Sequence, residues 1–345
     1  MQWSPLKSSF IAFCCNKPDL TFNLALNFLL NLKRDLQLKT KTSAVLCMAT
    51  LGLGVLSTAT SSVAAALAAS TSLRPAVPAT FKTKIITDWC TPLAARLPKI
   101  SVNDCRNAKL QPTGINSLNG FPLLSRDINT DTKHPHAIKI LLIGGIHGDE
   151  QTASAIVFKW LGEMQKNNVQ EFQWKVAPIV NPDGLLASKP RRMNAHGVDL
   201  NRNFPTPDWQ KEAPAYWSRV TRSDPRRYPG KAPISEPESR WVYDTIEKFK
   251  PDVVISVHAP FGVLDFDGPA APPSRFGRLI YNRVGVYPGS LGNYSGIHKD
   301  IPVVTIELPN ASQMPPDIEV QRIWQDMQKW IRQNIATPAK PIKHL

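Results

Sequence analysis

The chain has 345 residues, with 41 Lys or Arg against 27 Asp or Glu, a formal charge of +14. With 42% hydrophobic residues it is no disordered polyelectrolyte. Its 18 Gly and 31 Pro follow no period, so collagen-like and solenoid architectures are excluded. Five cysteines without a C-x-x-C pair form neither a disulfide scaffold nor a zinc finger. A basic chain favours anionic partners. No nucleic-acid module or aromatic–basic interleaving accompanies that charge, and nucleic acid is not an expected partner.

Lys33-Arg34, Lys39 and Lys41 precede an apolar run from Ala44 to Ala69 that ends in small residues. Basic flank, apolar middle and A-x-A exit are the parts of a secretory signal, so residues 1–70 are expected to be a leader. Thr50, Ser57, Thr58 and Thr60 to Ser62 make the run a poor permanent membrane span. An exported chain in the periplasm or cell envelope is the expectation, with an uncleaved anchor as the alternative. Cys14, Cys15 and Cys47 fall in the leader. That leaves Cys90 and Cys105 as an even pair in an exported protein, which predicts a disulfide worth about 3 kcal/mol on the chain-entropy model.

Residues 71–135, mixed and Pro/Ser-rich, read as a small N-terminal segment packed on a main domain at 136–340. From residue 138 the texture changes. Ile138, Ile140, Leu141, Leu142 and Ile143 make a short apolar run ending in Gly144-Gly145, which predicts a strand buried on both faces. A helix follows from Gln151 to about Gln165, with Ala155, Phe158, Leu161 and Met164 on one face. Lys175–Val180 is strand-like and stops at the turn Asn181-Pro182-Asp183-Gly184. Ser235 with Glu238 three residues on has the capping-box pattern, with Pro237 in the first turn, and predicts a helix to about Lys250. Asp252–Val257 and Val303–Leu308 are further buried strands, and 317–335 a closing helix. Strands alternating with helices imply an α/β sheet covered on both faces, with chemistry at the strand ends.

At the end of the first strand, His147 and Glu150 have the H-x-x-E spacing, close enough within a turn to share one metal ion. A solvated turn would show the same spacing. A third ligand is needed, and His258, ending the 252–257 strand, could complete the His₂Glu set of catalytic zinc sites. Glu307, between Ile306 and Leu308, is a carboxylate inside an apolar strand. Desolvation there raises its proton affinity and makes it a candidate general base, unless a buried Arg pairs with it. The run Arg192-Met193-Asn194-Ala195-His196-Gly197-Val198-Asp199-Leu200-Asn201-Arg202-Asn203-Phe204 offers Arg forks and Asn amides for an anion.

These motifs occur in one order: His147-Gly148-Asp149-Glu150, Asn181-Pro182-Asp183-Gly184, Gly197 to Phe204, His258, then Ile306-Glu307-Leu308. The series, over roughly residues 136–335, resembles the zinc carboxypeptidase family, the carboxypeptidase A-like metallopeptidases. With Arg192-Met193-Asn194-Ala195 leading into Asp199–Phe204, it is most similar to bacterial murein peptide amidases. Those cleave between γ-D-glutamate and meso-diaminopimelate in peptidoglycan peptides.

The resemblance implies a mixed, largely parallel sheet with helices on both faces and one zinc ion per chain, held by His147, Glu150 and His258. Asp199 would orient His147, Arg192 would stabilise the oxyanion, and Asn201 and Arg202 would grip a substrate carboxylate. Glu307 would activate water. The short interval from His258 to Glu307 departs from the digestive carboxypeptidases and leaves Tyr287 and Tyr294 as alternatives for the pocket tyrosine. Asp265 and Asp267 are candidates for a cationic substrate group such as the diaminopimelate amine, or simply a polar turn. Trimming of protein-derived peptides, deacylation of an amino acid and a non-catalytic wall-binding role are the competing readings. The last would predict a lost ligand or base, and all four residues are present.

Overall fold

The computed structural model describes residues 88–129, 137–166 and 171–335, so the expected leader lies outside the described residues. The chain divides into two units, Met1–Pro78 and Ala79–Leu345, and every described residue belongs to the second. Among the described residues no helix is long and apolar enough to cross a membrane.

Two short helices come first, α1 (Cys90–Arg96) and α2 (Val102–Asn107). Ser101 caps α2 in a reciprocal box, its Oγ accepting from Asp104 N at 3.0 Å while Asp104 Oδ2 accepts from Ser101 N at 2.8 Å. Cys90 and Cys105 tie the two helices together as a disulfide, with Cα atoms 5.5 Å apart. Strands β1 (Gln111–Asn116) and β2 (Pro122–Ile128) follow and join the main sheet, which therefore begins well before residue 136.

The remaining strands are β3 (Ile138–Gly144), β4 (Phe172–Ala177), β5 (Val253–His258), β6 (Val263–Asp267), β7 (Arg275–Phe276), β8 (Leu279–Tyr281) and β9 (Val303–Glu307). Their order is β1-β2-β4-β3-β5-β9-β6-β8-β7. The centre, β4-β3-β5-β9, is parallel throughout, while β2 and β6 flank it in antiparallel pairing. The fold is thus α/β with a mixed sheet. Helices α3 (Gln151–Lys166), α4 (Pro182–Leu186), α5 (Trp209–Arg219), α6 (Pro237–Phe249) and α7 (Asp317–Asn334) complete it.

Alternate strand residues enter two separate cores. Ile140, Leu142, Val253, Ile255, Val304 and Ile306 cluster with Ala153, Ile156 and Trp160 of α3 and Ile323 and Met327 of α7. Leu141, Ile143, Val254 and Val303 cluster with Trp241, Val242 and Ile246 of α6. That is why the sequence runs read as continuously apolar: both faces are covered.

Two expectations are corrected in detail. The strand expected at Lys175–Val180 lies at Phe172–Ala177, because Lys175 pairs through β4 with Leu141 and the chain turns away after Ala177. The helix expected to open with a Ser235/Glu238 box opens on Glu236, without a side-chain cap. Glu238 is fully buried and its Oε2 accepts from Asn194 Nδ2 at 3.1 Å, so it is drawn into the core instead of back to the helix start.

Candidate active site

After β3 the chain crosses to β4 on one side and later returns to β5 on the other. The carboxyl ends of β3 and β5 therefore bound a topological switch point, the usual place for a ligand in an open sheet of this kind. His147 and Glu150 lie in the turn after β3, and His258 is the last residue of β5. Glu307, the last residue of β9, stands directly beside His258 in register. The strand ends thus bring together four residues that span 160 positions of sequence.

The turn 145–150 is held in place by a second loop. Gly148 packs so closely on Gly184 that any Cβ would overlap its backbone. Asn181 caps α4 through Gly184 N at 2.8 Å, and its Nδ2 donates to Arg192 O at 3.0 Å. The Asn-Pro-Asp-Gly turn thereby fixes both the His147 turn and the Arg192 backbone.

Three donor atoms converge. His147 Nδ1 lies 2.8 Å from Glu150 Oε1, and His258 Nδ1 lies 3.2 Å from His147 Nδ1 and 3.1 Å from Glu150 Oε2. The far ring nitrogens are engaged elsewhere: His147 Nε2 faces Asp199 Oδ1 at 3.2 Å and His258 Nε2 faces Ser256 Oγ at 3.0 Å. With each Nε2 donating its proton, both Nδ1 lone pairs point to one place. A tetrahedral ion with ligands at about 2.0–2.1 Å needs donor atoms about 3.3 Å apart, close to what these three side chains present. All three are buried. The donor set and spacing therefore fit zinc.

Charges around this point are tightly balanced. Burial would raise the Glu150 carboxyl, but His147 and His258 hold it well below the usual carboxylate range. Burial would likewise raise Asp199, yet Arg192 and then His147 keep it ionised. Arg192 Nε and Nη2 both reach Asp199 Oδ2 at 2.9 Å, and its Nη1 stands 3.1 Å from His147 Nδ1. Glu307 is different. It has no ion pair among the described residues, and burial, with Glu150 adding to it, pushes its proton affinity up against the pull of His258. Among the described residues no buried Arg pairs with it.

His147, Glu150, Arg192, His258 and Glu307 line a cavity of about 420 Å³, together with Asn201, Arg202, Arg227, Asp265, Asp267, Tyr287 and Thr305. Arg202 is buried, its guanidinium stacks 4.4 Å from the Tyr287 ring, and burial brings its pKa down to about 10. Its Nη1 donates to Asn201 O at 2.6 Å, while Nε is buried without a partner among the described residues. Asn201 Oδ1 accepts from Leu291 N at 2.8 Å.

Of the two tyrosines, only Tyr287 reaches the cavity. Tyr294 is in the core against Phe204, and its hydroxyl donates to Glu247 at 2.5 Å, so it is removed from the substrate-binding set. Asp265 and Asp267 are not in a turn. They belong to β6, paired with β9. Sequence reasoning missed Ser256, whose signal was its position two before His258, which places both on one face of β5. It also missed Arg227, carried to the cavity by the turn Pro225–Arg227.

Comparison with known proteins gives concordant likenesses. Residues 106–264 match the family model described as zinc carboxypeptidase. Murein peptide amidase A of Vibrio campbellii is 31% identical over 181 residues, covering 50% of this chain and 70% of that protein. The Escherichia coli K12 protein of the same name is 33% identical over 127 residues, 36% of this chain. The chain spans only about half of that relative's length (50%). Among solved structures, carboxypeptidase A of Helicoverpa armigera, 17% identical, superposes over 71% of each chain with a TM-score of 0.50, a likeness of fold.

Proposed function

The chain belongs to the zinc carboxypeptidase family, and from that membership we propose that it hydrolyses an amide bond in peptidoglycan-derived peptides, between γ-D-glutamate and meso-diaminopimelate. The observation that carries the hydrolytic reading is the convergence of His147, Glu150 and His258 beside a buried Glu307 that has no ion pair among the described residues. The choice of substrate draws on the relatives named murein peptide amidase and on a cavity rich in Arg.

His147, Glu150 and His258 would hold one zinc ion. Zinc supplies Lewis acidity there, lowering the pKa of water to roughly 7 and polarising a carbonyl. Asp199 keeps the His147 ring in the tautomer that leaves Nδ1 free, and Ser256 does the same for His258. Glu307 accepts a proton from the attacking water and returns it to the leaving amine; its raised proton affinity suits both halves of that task. Arg192, oriented by two bonds to one oxygen of Asp199, donates to the carbonyl oxygen as negative charge develops on it. One such donor is typically worth about 3–4 kcal/mol of barrier. Arg202, with Asn201 beside it, holds the free carboxylate of the substrate and so sets which amide meets Glu307.

We place the protein outside the cytoplasm, on the leader pattern of residues 1–70 and the joined Cys90 and Cys105. The test of function is mass spectrometry of products from L-Ala-γ-D-Glu-meso-diaminopimelate. Released diaminopimelate is expected, abolished by chelation and restored by zinc. An intact tripeptide beside cleavage of ordinary C-terminal peptide bonds would refute the murein assignment.

A further inference from the structure

Four guanidinium groups reach the cavity, and three of them already have a task. Arg192 is matched by Asp199, Arg202 is assigned the carboxylate of the released residue, and Arg226 Nη2 donates to Asp149 Oδ2 at 2.9 Å. Arg227 has none. It is half-buried, and its side chain has no hydrogen bond or ion pair among the described residues. It stands close enough to be felt: burial first, then the charges of Arg192 and Arg227, pull the proton affinity of Arg202 down. Cations gathered without an acceptor repel one another, and an anion placed among them removes that cost.

The turn that carries Arg227 is built to hold it still. Asp224 Oδ1 accepts from Arg226 N at 2.9 Å, and Asp224 O accepts from Trp217 Nε1 at 2.8 Å. Tyr228 O accepts from Asp199 N at 2.8 Å, and the Tyr228 ring packs edge-on against Trp217. These anchors also give the cavity a direction. In the sheet, β3 lies on one side of β5 and β9, and β6 with β8 on the other. The Arg226–Asp149 pair ties the Arg227 turn to the loop after β3. Asn201 and Arg202 are tied instead to the segment after β8, through Leu291 N and the Tyr287 ring. His258 and Glu307 end the two strands in between. A peptide with its released residue held by Arg202 and its scissile amide at Glu307 would therefore run its acyl half toward Arg227.

We infer that Arg227 recognises a free carboxylate on the acyl side of the scissile amide, the α-carboxylate of a γ-linked glutamyl residue. The inference rests on the function proposed above and gives that site its means of telling γ-linked from α-linked peptides. A glutamyl residue joined through its γ-carboxyl keeps its α-carboxylate, two methylenes and the α-carbon away from the reacting carbonyl. An α-linked peptide offers main-chain amides in place of that anion. The planar fork of Arg matches a carboxylate bidentately, and a neutral carboxamide does not reciprocate.

The test is calorimetric binding of two tripeptides to the zinc-loaded full chain carrying Glu307→Gln, which slows cleavage enough to keep them intact. One is L-Ala-γ-D-Glu-meso-diaminopimelate; the other has the glutamyl α-carboxylate replaced by a carboxamide. The carboxylate form is expected to bind at least about tenfold tighter, as suits one charge-assisted contact. Adding Arg227→Gln should bring the ratio to within about threefold of unity, with Arg227→Ala in its place should that chain not fold. Equal binding before that substitution, binding of neither peptide, or a ratio undiminished by it overturns the inference. An undiminished ratio includes equal weakening of both peptides, which a grip shared with Arg202 on the released carboxylate would give. Because binding is read without turnover, a carboxylate preference beside an uncleaved tripeptide in wild type would refute only the proposed reaction.

Discussion

Removing the Ser256 hydroxyl is expected to weaken zinc binding without removing any ligand. In the structure Ser256 Oγ lies 3.0 Å from His258 Nε2, at a position only 2% exposed. Donation of the Nε2 proton to this oxygen leaves Nδ1 as a lone pair facing Glu150 and His147. In Ser256→Ala the metal-free protein has a remedy: the proton moves to Nδ1 and is donated to Glu150 Oε2, 3.1 Å away. The zinc-holding state has none, since Nδ1 is then engaged and Nε2–H is buried without an acceptor. Leaving such a donor unsatisfied costs about 1–3 kcal/mol. That corresponds to a loss of about 5- to 160-fold in affinity, which brackets the 10- to 100-fold typical for groups that orient metal ligands. Competition with a chelator of known affinity measures the loss, and turnover at saturating zinc should stay within about fivefold of wild type. An affinity within twofold of wild type, or a collapsed kcat with affinity intact, would refute the reasoning.

Other expectations follow from the same geometry. Glu307→Gln should keep about one zinc per chain while losing turnover by about 10²- to 10⁴-fold, read by elemental analysis and product assay together; full activity would remove Glu307 from the proton-transfer role. Arg202→Ala should raise KM by roughly 10- to 100-fold with a smaller effect on kcat, as lost charge-assisted contacts to a carboxylate would, and an unchanged KM contradicts the carboxylate assignment. Glu238 is buried and pushed up to about 7, so between its unfolded value of 4.5 and 7 the folded chain binds the extra proton. Stability contributed by that protonated form is therefore present at low pH and lost as pH rises, by at most about 3 kcal/mol. Denaturant unfolding from pH 5 to 8 should show this fall, and Glu238→Gln should flatten it; an equal slope in the variant refutes the assignment. Replacing both Cys90 and Cys105 with Ser should lower stability by about 3 kcal/mol, given their separation of 15 residues. A melting temperature that does not move would show that the bond contributes nothing to the folded chain.

Much of the site was legible because its residues end strands. Ile138 to Ile143, Val253 to Val257 and Val303 to Leu308 are mainly apolar, and His147, His258 and Glu307 stand out within or just after those runs. What stayed hidden was whatever depended on pairing between distant segments. Ser256 reads as a small filler in an apolar strand until His258 is seen to share its face. Leu264-Asp265-Phe266-Asp267-Gly268 has the composition of a turn, and only its antiparallel pairing with β9 turns it into strand. Tyr287 and Tyr294 differ by seven positions, and nothing local separates them. Arg202 draws one to the cavity, and Phe204 with Glu247 holds the other in the core. Ser235 and Glu238 match a capping box by spacing alone, but burial against Asn194 overrides the local pattern.

Anomalous scattering at the zinc edge, from crystals of the purified chain, addresses the coordination chemistry without relying on any substrate. One peak is expected, about 2.0–2.2 Å from Nδ1 of His147, a carboxylate oxygen of Glu150 and Nδ1 of His258. A peak at the Nε2 side of either ring, or elsewhere in the molecule with these three side chains unligated, would contradict the account.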